Sequence, residues 1–112
     1  MDILTWNEFE RVDMRCGTIV RVEDFPEARK PAYRVWVDFG EELGIKKTSA
    51  QITALYLKEE LIGKQIIGVV NFAPKQIGKF TSEFLLTGFA DESGAIVIAT
   101  TGKPVPNGRR LM

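Results

Sequence analysis

Residues 33–40 read YRVWVDFG, a strict alternation of two kinds of side chain that ends at Gly40. The apolar set consists of Tyr33, Val35, Val37 and Phe39. The set between them consists of Arg34, Trp36 and Asp38. Because successive side chains of a strand point to opposite faces, this pattern predicts a β-strand with one face in a core and the other toward solvent. Trp36 is then an aromatic group on an otherwise polar outer face.

Patterns on both sides of this strand predict five more, at residues 16–23, 45–49, 65–72, 83–89 and 95–100. In the first of these, Gly17 provides a point at which a long strand could bend, as strands of small barrels must. Residues 65–72 form a nearly continuous β-branched run, which is typical of a strand buried on both faces.

Helix signals are few. Thr5 and Glu8 form a capping-box pattern that predicts a short helix at residues 6–12. Apolar spacing predicts a second short helix at residues 51–57, after the third strand. Residues 25–31 and 74–81 are expected to be loops, and the segment from Gly102 onward is too rich in proline and glycine for regular structure. The element order indicates a mainly β protein, a small closed or nearly closed barrel.

Size and composition favour one soluble domain covering residues 1–112. Apolar residues make up 45% of the chain and charged residues 27%, which suffices for a packed core. Basic and acidic residues balance at 15 each, so any nucleic-acid site must be a local patch rather than a whole-molecule effect. A chain of this size buries only about two-thirds of its surface, so pairing with a second copy is a natural way to bury more.

The chemistry that the sequence lacks argues against an enzyme. There is no histidine and only one cysteine, Cys16, so neither the usual proton shuttle nor a zinc site can form, and no metal or cofactor is expected. Cys16 is interpreted as a small buried apolar residue. Asp13, Asp38 and Glu83 could form a carboxylate pair, but each also has an ordinary structural explanation. Without a signal segment or a long apolar run, we expect a cytoplasmic protein with no membrane insertion.

Several segments resemble one family in order and spacing, over a region from about Phe9 to Arg109. They are DMRCGTI at residues 13–19, FPEA at 25–28, VDFG at 37–40, SAQI at 49–52, VNFAPK at 70–75, SE at 82–83 and VPNG at 105–108. The chain is identified on these motifs as similar to the tRNA-binding domain family, and most closely to its CsaA-type branch, described as export-related chaperones.

The resemblance implies an OB-fold: a five-stranded barrel with a short helix after the third strand, a short N-terminal helix and an extended C-terminal segment. It also implies a homodimer joined through terminal segments and loops. Ala50, Gln76 and Lys79 depart from the broader tRNA-binding pattern, in which glycine, a second basic residue and glycine are common at these positions. These departures favour the chaperone-like branch over a dedicated tRNA-binding protein.

The resemblance and the basic clusters together give a candidate RNA site at Lys47, Ser49, Asn71, Lys75, Lys79 and Ser82. Lysines there would neutralise phosphate, and the amide and hydroxyls would bond to the RNA backbone or to unpaired bases. For two of these residues an ordinary role is equally open: Asn71 can satisfy loop backbone at the end of a strand, and Ser82 can be a turn hydroxyl.

Aromatic residues give a candidate peptide site at Trp36, Phe72, Phe80 and Phe84. Such groups can line an apolar groove, although core packing is the simpler reading of Phe72 and Phe84, which fall in predicted strands. Phe80 is the better candidate because it falls in the predicted loop. Three hypotheses stay open: a chaperone for unfolded or precursor polypeptides, a binder of tRNA or other structured RNA, and a purely structural interaction module.

Overall fold

The computed structural model describes residues 1–112. Its helices are α1 (Trp6–Glu10), α2 (Gly40–Leu43) and α3 (Lys58–Leu61). Its strands are β1 (Met14–Asp24), β2 (Tyr33–Asp38), β3 (Ile45–Ala50), β4 (Gln65–Val69), β5 (Lys75–Ile77), β6 (Phe80–Ser82), β7 (Leu85–Leu86), β8 (Gly88–Ala90) and β9 (Ile96–Ile98). No helix approaches the length that a membrane crossing requires.

Five strands form one antiparallel sheet in the order β3-β2-β1-β4-β7, and β5–β6 and β8–β9 form two separate hairpins. The large sheet curls into a nearly closed barrel, which confirms the predicted five-stranded OB-fold. In β2 the buried residues alternate with half-buried ones, as the 33–40 pattern predicted. The core cluster lies inside the curl and includes Val35, Val37, Phe39, Ile66 and Leu61, each fully buried.

The bend in β1 lies at Val20, not at Gly17. Ile19 pairs with Val37 and Arg21 with Trp36, so Val20 is an extra residue that forms a bulge. The bulge shifts the alternation by one residue: Ile19 is in the core and Val20 is exposed. Gly17 instead allows β1 to pack closely against β2. A Cβ at this position would lie 2.5 Å from the Val37 side chain and 2.9 Å from the carbonyl oxygen of Asp38.

The helices only partly follow the sequence prediction. Helix α1 has the expected capping box, in which the Thr5 hydroxyl accepts from the Glu8 amide and the Glu8 carboxylate accepts from the Thr5 amide. The predicted helix at residues 51–57 is wrong, because this segment is an irregular crossing and the helix after β3 begins at Lys58. Tyr56 fixes the crossing: its carbonyl accepts from the Tyr33 hydroxyl at 2.8 Å, and its own hydroxyl accepts from the Ile98 amide at 3.0 Å. Helix α2 was not predicted.

Two segments after β4 also differ from the prediction. Residues 74–81 are a β-hairpin that turns at Gly78, not a loop. Residues 83–89 are not one strand, because the chain changes partners at Thr87. The Thr87 amide and hydroxyl both donate to the Ile67 carbonyl, and the Thr87 carbonyl accepts from Ala99. At Thr87 the chain therefore stops pairing with β4 and begins to pair with the β9 segment.

The C-terminal segment is extended and packs against the free side of β1. Cys16 exchanges two backbone hydrogen bonds with it, donating to Arg109 and accepting from Gly108. The Gln65 side chain binds both backbone groups of Val105. Cys16 is buried beneath this segment, and burial raises the pKa of its thiol.

Candidate binding groove and outer face

A groove of about 760 Å³ opens where the curled sheet stops being closed. Its walls are residues 48–52 of β3 and beyond, residues 72–73, residues 84–88, and the side chains of Lys75, Ile77, Ser82 and Ile96. Nine of its sixteen lining residues are hydrophobic, and Lys75 is the one ionisable side chain among them. Its volume falls within the range of ligand-binding clefts.

The closed part of the barrel ends at this groove. Along the seam, the Glu83 amide donates to the Lys47 carbonyl at 2.8 Å and the Glu83 carboxylate accepts from the Lys47 amide at 3.0 Å. The Thr48 hydroxyl donates to the Phe84 carbonyl at 2.7 Å. The seam ends where the Ser49 amide donates to the Ser82 hydroxyl at 3.1 Å. Beyond Ser49 the two edges part, so the edge of the chain that continues β3 faces the groove.

The structure brings half of the predicted site residues to the groove. They are Ser49, Phe72, Lys75, Ser82 and Phe84. Phe72 is 58% exposed at the rim. Ser49 and Ser82 face each other across the seam with hydroxyl oxygens 3.4 Å apart, so both predicted polar groups also have a structural role.

Phe84 is buried, as core packing predicted, and Phe80 is buried as well, although it was predicted to lie exposed in a loop. Phe84 is only 5% exposed and stacks edge-on against Phe39 with centroids 5.0 Å apart, so it forms the floor of the groove. Phe80 is 8% exposed because it lies in β6 rather than in a loop, where its ring packs on Phe25 and Trp36. Of the three phenylalanines predicted to bind peptide, Phe72 is therefore the accessible one.

Trp36, Lys47 and Phe80 form a second group on the outer face of the sheet. The Lys47 ammonium lies 5.3 Å from the centroid of the Phe80 ring, and the Arg21 guanidinium lies 4.5 Å from that of Trp36. None of these four residues lines the groove. Sequence analysis assigned Trp36 to a peptide site and Lys47 to an RNA site, whereas the fold places them side by side.

The remaining two predicted residues lie elsewhere. The Asn71 side chain accepts from the Asp13 amide at 3.0 Å and donates to the Arg11 carbonyl at 2.6 Å. It thus joins the end of β4 to the segment between α1 and β1. Lys79 is exposed at the turn of the β5–β6 hairpin. Ile52, Leu86 and Ile96 line the groove and were missed, because distant parts of the chain supply them and no local pattern marks them.

The three carboxylates considered as catalytic candidates each have a structural partner. Asp38 accepts from the Gly40 amide at 2.8 Å, and Glu83 takes part in the seam. Asp13 accepts two hydrogen bonds from Arg15, at 2.6 and 3.2 Å. These hydrogen bonds, assisted by the charges of Arg15 and Arg110, hold the pKa of Asp13 below its usual value. No group of three or more potential metal-ligating side chains comes together.

We expect the Asp13→Asn variant to be less stable than the parent at pH 7 by about 1–3 kcal/mol, the value of charge-assisted hydrogen bonds. A carboxylate whose folded pKa is depressed stabilises the protein above its unfolded pKa, about 3.9, and loses this contribution as pH falls through the folded pKa. Urea unfolding between pH 7 and pH 2.5 should therefore show the two proteins converging in acid. A difference that does not change with pH would contradict the account.

Fold and site together define an OB-fold binding domain, with a mostly apolar groove at its seam and an outer face on which Trp36 lies beside Arg21 and Lys47. The family model described as "Putative tRNA binding domain" matches residues 14–110. The chain therefore belongs to the tRNA-binding domain family.

Solved structures of the same fold include chaperones. The chaperone CsaA from Bacillus anthracis str. Ames is 44% identical, with a TM-score of 0.91 over 99% of this chain and 100% of that one. The CsaA chaperone protein from Picrophilus torridus is 45% identical, with a TM-score of 0.91 over 98% of this chain and 100% of that one. The relationship to the CsaA-type branch, expected from the sequence motifs, is confirmed.

Curated relatives include much longer proteins. A methionine–tRNA ligase from Nanoarchaeum equitans is 33% identical over 109 residues, which are 97% of this chain but 14% of the ligase. The second ligase, from Methanocaldococcus jannaschii, is 27% identical, and the chain spans 17% of it. The chain thus corresponds to a small part of these enzymes.

Proposed function

We propose that this protein is a CsaA-like chaperone in protein export, which holds unfolded or precursor polypeptides in its groove without catalysing a reaction. The observation that carries the proposal is the groove itself: apolar walls, one lysine and an open strand edge at the end of the barrel seam. The 44–45% identity to two CsaA chaperones over their whole length supports it.

The groove suits an extended polypeptide better than a compact ligand. One wall is the continuation of an edge strand, and an extended peptide can add to such an edge through backbone hydrogen bonds. The apolar walls then take alternate side chains of the peptide. Phe72 and Leu85, both at least half exposed, offer apolar surface that a peptide would cover.

Two measurements on the purified protein test the proposal. Light scattering should show that it suppresses aggregation of a chemically denatured client. Calorimetry with an unfolded apolar peptide should give a negative heat-capacity change and an affinity that hardly depends on salt, because apolar burial dominates. A protein that neither delays aggregation nor binds any peptide would refute the chaperone function.

A second candidate function is binding of tRNA or other structured RNA, which the family description supports. The specific observation in its favour is that cations and aromatic rings share the outer face of the sheet. OB-folds bind single-stranded nucleic acid by combining positive charge with aromatic stacking.

Under this second function we expect Lys75→Ala to weaken tRNA binding and to reduce the slope of log affinity against log salt by about one unit. Lys75 lines the groove, is exposed and makes no ion pair, so its charge is available to a phosphate. Filter binding between 50 and 200 mM salt measures the slope. Lys103→Ala, an exposed lysine in the C-terminal segment, is the matched control, and an equal slope in both variants would remove Lys75 from the site.

We further propose that the protein works in the cytoplasm as a homodimer. Ile3, Leu4 and Trp6 near the N-terminus, and Leu111 and Met112 at the other end, are all exposed apolar residues. The Arg110 guanidinium donates to the Glu10 carbonyl, so the two ends lie together and can bury this surface against a second copy. Sedimentation should give twice the 12.6 kDa of one chain, and a monomer at all concentrations would contradict the proposal.

A further inference from the structure

Strand β3 has one edge on β2 and a second edge that the seam uses only in part. Alternate residues of β3 direct their amides and carbonyls to this second edge. The amide and carbonyl of Lys47 bond to Glu83 there, and the amide of Ser49 bonds to Ser82. Gln51 is the next residue of the same set, and its amide and carbonyl have no hydrogen-bond partner in the chain. The edge therefore continues past the seam with unpaired backbone groups.

The chain is still extended at Gln51. Among residues 48–52 the buried ones are Thr48, Ala50 and Ile52, and the more exposed ones between them are Ser49 and Gln51. This alternation has the period of a strand, and it continues for two residues beyond the end of β3. An extended segment with unpaired groups on one edge is a template for a further strand.

The position of this edge decides which side chains of an added strand enter the groove. Residues directly opposite each other in paired strands point to the same side of a sheet. A residue placed opposite Ile52 therefore points inward, where the lining includes Phe84, Leu86 and Ile96. The next residue points outward, as Gln51 does. Every second side chain of the bound segment thus meets apolar surroundings, and those between them stay at the surface.

The charge of the groove restricts its occupant further. The lining contains no carboxylate, and its one ionisable side chain, Lys75, has no ion-pair partner. A segment that lies beside this ammonium is favoured when it is neutral or acidic and is disfavoured when it is basic. The complementary occupant is a neutral or acidic extended chain.

We infer that the polypeptide segments held by this groove are stretches in which apolar and polar residues alternate, and that they bind as an added strand paired at Gln51. The inference rests on the proposed chaperone function and names the class of segment that the groove accepts. Alternation of this kind is the pattern of half-buried β-strands, so the clients are unfolded chains of β-rich proteins. Apolar residues at helical spacing or in one block do not present this pattern.

Two short peptides of the same composition test the pattern. In one, valine alternates with serine; in the other, the valines are consecutive; both carry a terminal glutamate for solubility and a fluorophore. Fluorescence anisotropy should show that the alternating peptide binds more tightly on the order of tenfold. Both peptides have the same net charge and apolar content, so composition alone predicts equal affinity.

N-methylation of alternate amides tests the pairing. Methylating every second residue removes the donors from one edge of a strand and leaves those of the other edge. One of the two methylated forms of the alternating peptide should lose binding, and the other should stay within about twofold of the parent peptide. Loss on methylating the serines identifies an antiparallel strand, and loss on methylating the valines identifies a parallel one.

A protein variant tests Gln51 directly. Gln51→Pro removes the unpaired amide hydrogen and breaks no hydrogen bond of the chain, because this amide has no partner. Proline is tolerated on strand edges, and circular dichroism establishes that the variant is folded. It should bind the alternating peptide more weakly on the order of tenfold, whereas Gln51→Ala, the matched control, keeps the backbone donor and should stay within about twofold.

The outcomes separate the inference from the proposed function. Equal affinity for the two peptides, equal losses from the two methylated forms, or full affinity in a folded Gln51→Pro variant overturns the inference while leaving peptide binding intact. Self-association of the parent that Gln51→Pro abolishes, without peptide binding, would assign the edge to a second copy and overturn it too. Binding of tRNA but of no peptide would assign the groove to RNA. If no peptide and no unfolded client binds the parent, the proposed chaperone function fails and the inference with it.

Discussion

Replacing Phe72 and Leu85 together by aspartate is expected to lower the affinity for an unfolded apolar peptide on the order of 100-fold. Both side chains line the groove and are at least half exposed, so the substitutions leave the core intact. Each substitution removes roughly 1–2 kcal/mol of apolar contact with the peptide. Each also introduces a carboxylate that the bound peptide would desolvate, which weakens binding further. Calorimetric titration measures the loss.

The chain offers a matched control for this variant. Phe89 and Val97 are directly paired in the β8–β9 hairpin, are 73% and 41% exposed, and do not line the groove. The Phe89→Asp/Val97→Asp variant has the same change in charge and similar apolar loss, and it should bind peptide within about twofold of the parent. Equal losses in the two double variants would show that the groove has no special role.

The second large effect is on stability: Phe39→Ala should reduce the free energy of unfolding by about 3–5 kcal/mol. Phe39 is fully buried and supports Phe84, the floor of the groove. The space around its ring is full, since a Cβ on Gly68 would lie 2.9 Å from it. Because neighbouring backbone can collapse only partly into the cavity, most of the lost packing energy is not recovered.

Urea denaturation checks this prediction, with Phe72→Ala as the control because Phe72 lies at the surface. The control should change stability by less than about 0.5 kcal/mol, as surface substitutions do. The Phe39→Ala variant should also bind peptide more weakly at temperatures where it is still folded, because Phe84 loses its support. A loss of stability below about 1.5 kcal/mol would mean that the floor is less tightly packed than the structure shows.

The parts of the fold that could be predicted are those with a local periodic signal. Strand β2 follows the alternation of residues 33–40, and β3 was expected at nearly its observed bounds. The shift in β1 could not be read from the sequence, because the extra residue at Val20 is defined only by its pairing with β2. The break at Thr87 is likewise a change of partner, which leaves no mark in a run of apolar residues.

The site was predictable only as a set of positions. Residues 49–52 match a family motif, but a helix was predicted to begin within them. The structure shows that they form a wall of the groove. Phe80 seemed to be in a loop because the strands of its hairpin have only three residues, too few for a period to be recognised. The alternation in β2 predicted that Trp36 lies on the outer face of the sheet. Only the register with β1 and β3 shows that Arg21 and Lys47 flank it.

The most direct measurement of the central claim, that polypeptide binds in the groove, is a map of amide chemical shifts of the labelled protein during titration with an unfolded apolar peptide. We expect the largest changes at residues 48–52 and 84–88, and none beyond the background at Arg21 and Trp36. Changes concentrated at Arg21 and Trp36 or on the chain ends, with the groove amides unmoved, would contradict the account.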